Sequence, residues 1–124
     1  MDYVKQYNKL IDSRKKMQFE RLEKRKNKEE YYEMHHILPK YLGGLDTTDN
    51  LILLTFKEHF IAHLILFYIA KNNNDTKNMK NSYATILLMS GFDKRFGHKS
   101  SRTYEKFKNE YWRNYGPKLH PMYN

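Results

Sequence analysis

The chain has 124 residues and no cysteine. That length suits one modest domain with a core of its own, and the missing thiols exclude disulfide frameworks, cysteine-built zinc sites, iron–sulfur clusters and cysteine nucleophiles. Hydrophobic residues make up 40% and charged residues 30%, with five glycines and three prolines, a balance that is globular rather than disordered or fibrous. Lys and Arg number 23 against 14 acids, a net charge of +9, which points to a polyanionic partner or to a solvated basic surface.

The charge is unevenly placed. Residues 1–30 carry 10 basic and 6 acidic groups, residues 31–75 carry 3 and 5, and residues 76–124 carry 10 and 3. An acidic middle between basic flanks suits a chemically specialised centre held between arms that grip phosphates. The longest apolar run, residues 60–70, contains His63 and is too short for a bilayer, and the N-terminus has no secretory apolar stretch. A soluble, non-exported protein with no membrane partner is expected.

In chain order, Val4, Tyr7, Leu10, Ile11, Met17 and Leu22 follow helical spacing with no breaker as far as Asn27, predicting one long basic helix within residues 1–30. Its outer face would carry Arg14, Lys15, Lys16, Arg21, Lys24, Arg25, Lys26 and Lys28, as an ordinary wet face or as a contact with a nucleic-acid backbone. Residues 31–38 are rich in aromatic and branched side chains and end at Pro39, so a short strand is predicted there. A loop with Gly43-Gly44 and the turn formers of residues 46–50 leads into a second strand, Leu51 to Leu54. Thr55 and Glu58 have capping-box spacing, so a helix should start here and run to about Lys71, before Asn72-Asn73-Asn74-Asp75. Met79, Tyr83, Ile86 and Leu87 lie on one face of a further helix that Gly91 can close. Residues 92–99 have the character of a loop. Ser101 can cap a last helix through Tyr104, Phe107, Tyr111 and Trp112, ended by Gly116-Pro117; that aromatic set has core spacing, with base stacking as the alternative.

Four of the six histidines, 35, 36, 59 and 63, fall within 29 residues. His59 and His63 stand four apart on the helix, so their rings can converge on one point, as metal ligands or as a half-buried hydrogen-bonded pair. His35 and His36 are neighbours on a strand and must face opposite sides. One can join a metal shared with the helix while the other keeps a neutral nitrogen for acid–base work, since an imidazole titrates near pH 6.5. No glutamate follows His59, so the H-E-x-x-H metalloprotease pattern is unmet, and no P-loop, nucleophile elbow or G-x-G-x-x-G occurs. His98 and His120 acquire no role.

Taken together, Glu33-Met34-His35-His36-Ile37-Leu38-Pro39, Gly43-Gly44, Asp49-Asn50-Leu51-Ile52-Leu53-Leu54-Thr55 and Glu58-His59-Phe60-Ile61-Ala62-His63 resemble the HNH endonucleases, in particular phage homing endonucleases. The resemblance implies an α+β fold: a ββα-metal (His-Me finger) motif over residues 31–71, flanked by the basic helix of residues 1–30 and C-terminal helices within residues 76–115. It implies that His35, His59 and His63 bind one divalent cation and that His36 is the general base. Asn50 would brace the inter-strand loop, or serve as a plain turn former, and the paired glycines would supply backbone geometry. Residues 116–124 look like the opening of a small DNA-binding module found in the tails of many phage homing nucleases.

The implied reaction is hydrolysis of DNA phosphodiesters, by nicking or double-strand cleavage, in the cytoplasm of a bacterial host. Duplex DNA is the implied partner, with Lys40, Lys57, Arg95, Lys99, Arg102, Lys106 and Lys108 as candidate contacts, and a homodimer is one route to cutting both strands. Imidazole ligands suit zinc, nickel or manganese, with magnesium also open. Two other readings share these features: a non-catalytic DNA-binding accessory protein with a structural metal, and an RNA-directed nuclease.

Overall fold

The computed structural model describes residues 2–95, with side chains as far as Met89. It is an α+β arrangement in the order α1 (Tyr3–Lys15), α2 (Gln18–Lys26), β1 (Glu33–His36), β2 (Leu51–Leu54), α3 (Phe56–Asn72) and α4 (Thr76–Arg95). Two short 3-10 turns, Lys40–Leu42 and Thr48–Asn50, lie between the strands. The strands form an antiparallel pair that sets His35 opposite Ile52 and His36 opposite Leu51.

The N-terminal segment is two helices rather than the single long one its spacing predicts. Asp2 caps α1 by accepting from the Lys5 amide at 3.0 Å, and the chain breaks at Lys16-Met17 before α2 begins. The cause lies far along the sequence. On α2, Gln18 accepts from the Leu53 amide at 2.9 Å and Arg21 donates to the Leu53 carbonyl at 3.1 Å, covering the outer edge of β2. An exposed edge would otherwise leave those groups unpaired. Met17 and Leu22, which had helical spacing, remain 41% and 38% exposed.

Two residues expected on the wet face are drawn inward instead. Arg21 is buried and donates to both carboxylate oxygens of Glu58, at 2.6 and 3.1 Å, and Arg14 pairs with the same group. Glu58 also completes the capping box of α3 with Thr55, as the spacing predicted. Burial alone would raise its pKa; Arg21, the Thr55 amide and Arg14 outweigh that and hold the carboxyl at about 2.

Helix α3 is apolar around most of its circumference because it is packed on more than one side. Phe60, Phe67 and Ala70 meet Met79, Tyr83, Ile86 and Met89 of α4, while Ala62 joins Tyr7, Ile11, Ile52 and Leu54 from α1 and β2. Helix α4 does not close at Gly91 but continues to Arg95, so residues 92–95 are helical where a loop was expected. A glycine ends a helix only where the backbone turns left-handed; inside one it costs about 1 kcal/mol relative to alanine and is otherwise tolerated. The expected last helix, with Ser101 and its aromatic set, and the tail lie outside the described residues.

Candidate metal centre and active site

Strand β1 and helix α3 bring three imidazoles together. His35 projects from β1 into the interior at 1% exposure, and His63 on α3 is buried. With His59, one turn earlier, they form a near-equilateral triangle: ring centroids lie 5.0 Å (35–59), 5.0 Å (35–63) and 4.8 Å (59–63) apart. One nitrogen from each falls within 4.8 Å of the others, and the Nε2 atoms of His59 and His63 are 3.1 Å apart. Tetrahedral zinc–imidazole bonds of about 2.1 Å place ligand nitrogens about 3.4 Å apart, a spacing that falls between the 3.1 Å pair and the 4.8 Å bound on the set.

The donor set fits a cation on chemical grounds as well. The Nδ1 atoms of His35 and His63 are buried without a hydrogen-bond partner, a condition that costs free energy unless something accepts the lone pair. Burial, and then His63, His59 and His36, hold the His35 pKa down to about 2; burial and His59 hold His63 at about 3. Both rings are therefore neutral at pH 7, the state a metal requires.

Partners around the triangle orient it. Glu33, two residues before His35 and so on the same strand face, accepts from Nδ1 of His59 at 2.8 Å, which directs Nε2 of that ring inward. From α1, the Tyr7 hydroxyl lies 2.8 Å from Nε2 of His35 and 2.6 Å from the Ile37 carbonyl.

His36 faces away from the triangle, its side chain 26% exposed, with Nε2 2.6 Å from Asp46. Asp46 also lies 3.3 Å from the Lys40 ammonium; His36 first and Lys40 next lower its pKa. The loop behind His36 is clamped by Asn50, whose side chain accepts from the Leu38 amide (2.8 Å) and donates to the carbonyls of Leu38 (3.1 Å) and Leu45 (2.9 Å). Both glycines are needed here. Gly43 has φ +94°, and a Cβ on Gly44 would collide with the Leu38 carbonyl oxygen. Asn50→Asp, which turns a donor toward two carbonyls into an acceptor, is expected to cost about 1–3 kcal/mol in urea unfolding. An unchanged midpoint would show that backbone contacts alone hold the loop.

Curated proteins resemble much of this chain. The chain is 38% identical over 104 residues to the probable mobile endonuclease E of Enterobacteria phage T4, covering 84% of this chain and 65% of that protein. It is 49% identical over 73 residues to the probable mobile endonuclease D of the same phage (59% and 27%), and 30% identical over 114 residues to the probable mobile endonuclease C (83% and 52%). The chain is thus similar to three probable mobile endonucleases of one phage. It spans from about a quarter to about two thirds of the length of these relatives. No protein-family profile and no solved structure matches it.

The expected nucleic-acid contacts are placed only in part. Lys40 and Lys57 are exposed, Lys57 in the first turn of α3 two residues before His59. Arg95 is described only as helical backbone; Lys99, Arg102, Lys106 and Lys108 lie outside the described residues. Among those residues no helix is long and apolar enough to cross a membrane. Sequence reasoning assigned no chemistry to Glu33, Asp46 or Tyr7. The two-residue step from Glu33 to His35 was a readable signal for the first. Asp46 looked like any turn acid, and Tyr7 like any apolar-face residue.

Proposed function

We propose that the chain is a metal-dependent HNH-type endonuclease that hydrolyses phosphodiester bonds in duplex DNA, with β1, β2 and α3 as its ββα-metal core. One observation carries the reading: three imidazoles converge on a point while a fourth, His36, stands on the other side of the same strand, partly exposed and paired with a carboxylate. The printed names of the relatives agree with it.

His35, His59 and His63 would hold one divalent ion, zinc, nickel, manganese or magnesium. When bound, such an ion supplies Lewis-acid stabilisation of the charge that builds on the phosphate and on the departing 3′ oxygen. Nε2–H of His36 donates to Asp46, leaving Nδ1 with its lone pair for the proton of an attacking water. As the water oxygen bonds to phosphorus, its proton passes to His36 and the bond to the 3′ oxygen breaks; the 3′ oxygen takes a proton from solvent water, giving 5′-phosphate and 3′-hydroxyl ends. Asn50 keeps the loop behind His36 in place, and Lys40 and Lys57 are the described cations nearest in sequence to the site for contact with the DNA backbone.

Metal-stripped protein, supplied in turn with Mg²⁺, Mn²⁺, Zn²⁺ and Ni²⁺, is expected to convert supercoiled plasmid to nicked or linear forms with at least one of these ions, and to leave structured RNA intact. Plasmid untouched under all four conditions overturns the proposal, and degraded RNA beside intact plasmid replaces it with an RNA-directed enzyme. The ratio of nicked to linear product reports whether one strand or both are cut.

A further inference from the structure

We propose that Tyr7 is a positioning residue for the metal centre: its hydroxyl fixes the His35 tautomer so that Nδ1, not Nε2, is presented to the cation. The inference rests on the metal-site reading above and adds to it a residue from the N-terminal helix.

Counting hydrogens decides the direction. A phenol has one hydrogen to give, and a backbone carbonyl can only accept. The Ile37 carbonyl, 2.6 Å from the Tyr7 oxygen, therefore takes the hydroxyl hydrogen, and the phenol oxygen must accept from its other close neighbour, Nε2 of His35 at 2.8 Å. His35 thus carries its single ring hydrogen on Nε2. Its Nδ1 is bare, buried and without a partner. Tyr7 is itself only 7% exposed and meets the His35 ring edge-on at 6.2 Å, so no water competes for the hydroxyl.

The result is an asymmetric centre. His59 gives its Nδ1 hydrogen to Glu33 and turns Nε2 toward His63, whereas His35 gives its Nε2 hydrogen to Tyr7 and keeps its buried Nδ1 for the ion. Two ligands held in opposite tautomers by two different partners define the position of an ion more narrowly than rings free to exchange nitrogens. The same relay ends on Ile37, the residue after His36, whose amide donates to the Asn50 carbonyl at 2.8 Å. Ligand and loop are therefore tied through one backbone unit.

The test uses the full chain and reads nitrogen chemistry and metal uptake, not cleavage. Long-range ¹H–¹⁵N spectra of metal-free protein at pH 7 are expected to show His35 protonated on Nε2 and His59 on Nδ1. Tyr7→Phe, which keeps the ring and removes the hydroxyl, is expected to mix the His35 tautomers and to weaken Zn²⁺ or Co²⁺ binding by about 10–100-fold. Ile11→Ala, in the same core cluster but with no polar group to offer a ring nitrogen, should lower the unfolding midpoint and leave metal affinity within about twofold. His35 protonated on Nδ1 in the wild type, or Tyr7→Phe binding metal as tightly as wild type, overturns the inference while leaving the metal site standing. A wild-type chain that takes up none of Mg²⁺, Mn²⁺, Zn²⁺, Ni²⁺ and Co²⁺ overturns both.

Discussion

His36→Ala should lose plasmid cleavage by about 10²–10⁴-fold, the range a positioned general base contributes, while still binding DNA and metal. The expectation follows from the strand geometry. His36 is not part of the imidazole triangle, so its removal leaves His35, His59 and His63 with their hydrogen-bonded neighbours intact. It takes away only the nitrogen that faces outward beside Asp46. Asp46→Asn should show a milder loss, about 10–100-fold, because an amide holds the ring but no longer stabilises an imidazolium, and Asp46→Glu should recover part of it. Single-turnover cleavage, gel shift and metal titration on the same preparations separate these effects. Cleavage by His36→Ala at the wild-type rate would remove His36 from the mechanism.

Metal-free protein is expected to lose stability steeply on mild acidification. In the unfolded chain His35 and His63 titrate near pH 6.5; in the folded chain they stay neutral down to about 2 and about 3. Between those limits the unfolded state holds two more protons, so acid favours unfolding, and the contribution is complete above pH 6.5. Each ring is worth about 1.4 kcal/mol per pH unit. By pH 4.5 the loss is roughly 5 kcal/mol, comparable with the 5–15 kcal/mol net stability typical of domains. Below about pH 4.5 Glu58 adds to the loss, since its folded value near 2 lies under that of a free carboxylate. Urea unfolding at pH 7.5, 6.5, 5.5 and 4.5 measures this directly. His63→Leu should roughly halve the slope between pH 6.5 and 4.5, and bound Zn²⁺ should flatten it over the range where metal stays on. A stability independent of pH from 7 to 5 would mean that the rings are not held neutral.

What the sequence could reveal about this fold depended on the reach of the interactions. The capping box at Thr55 and Glu58, the i, i+4 histidines and the opposed pair at 35 and 36 all act within a few residues, and each stands where spacing placed it. The break after Lys15 does not, because its cause is hydrogen bonding to Leu53, more than thirty residues away. The inward pull on Arg21 has the same long-range origin. Gly91 misled for the converse reason: as a local breaker it was read without the packing of α4 on α3 that carries the helix through it. In the candidate site, the convergence of His35, His59 and His63 was foreseeable from residue type and secondary structure. The hydroxyl of Tyr7 was not, since nothing in a run of helical spacing distinguishes a tyrosine that packs from one that also holds an imidazole.

Glu58 makes the front of the chain indispensable to its middle. The same carboxylate that starts the helix bearing His59 and His63 is gripped by Arg14 and Arg21, from two different helices. A minimal version engineered by trimming to the histidine-bearing segment would shed both guanidiniums and leave that acid stranded without counter-charge. The first twenty-six residues behave as a keel rather than as a detachable handle, and any graft of this histidine-bearing unit onto another scaffold must carry them along.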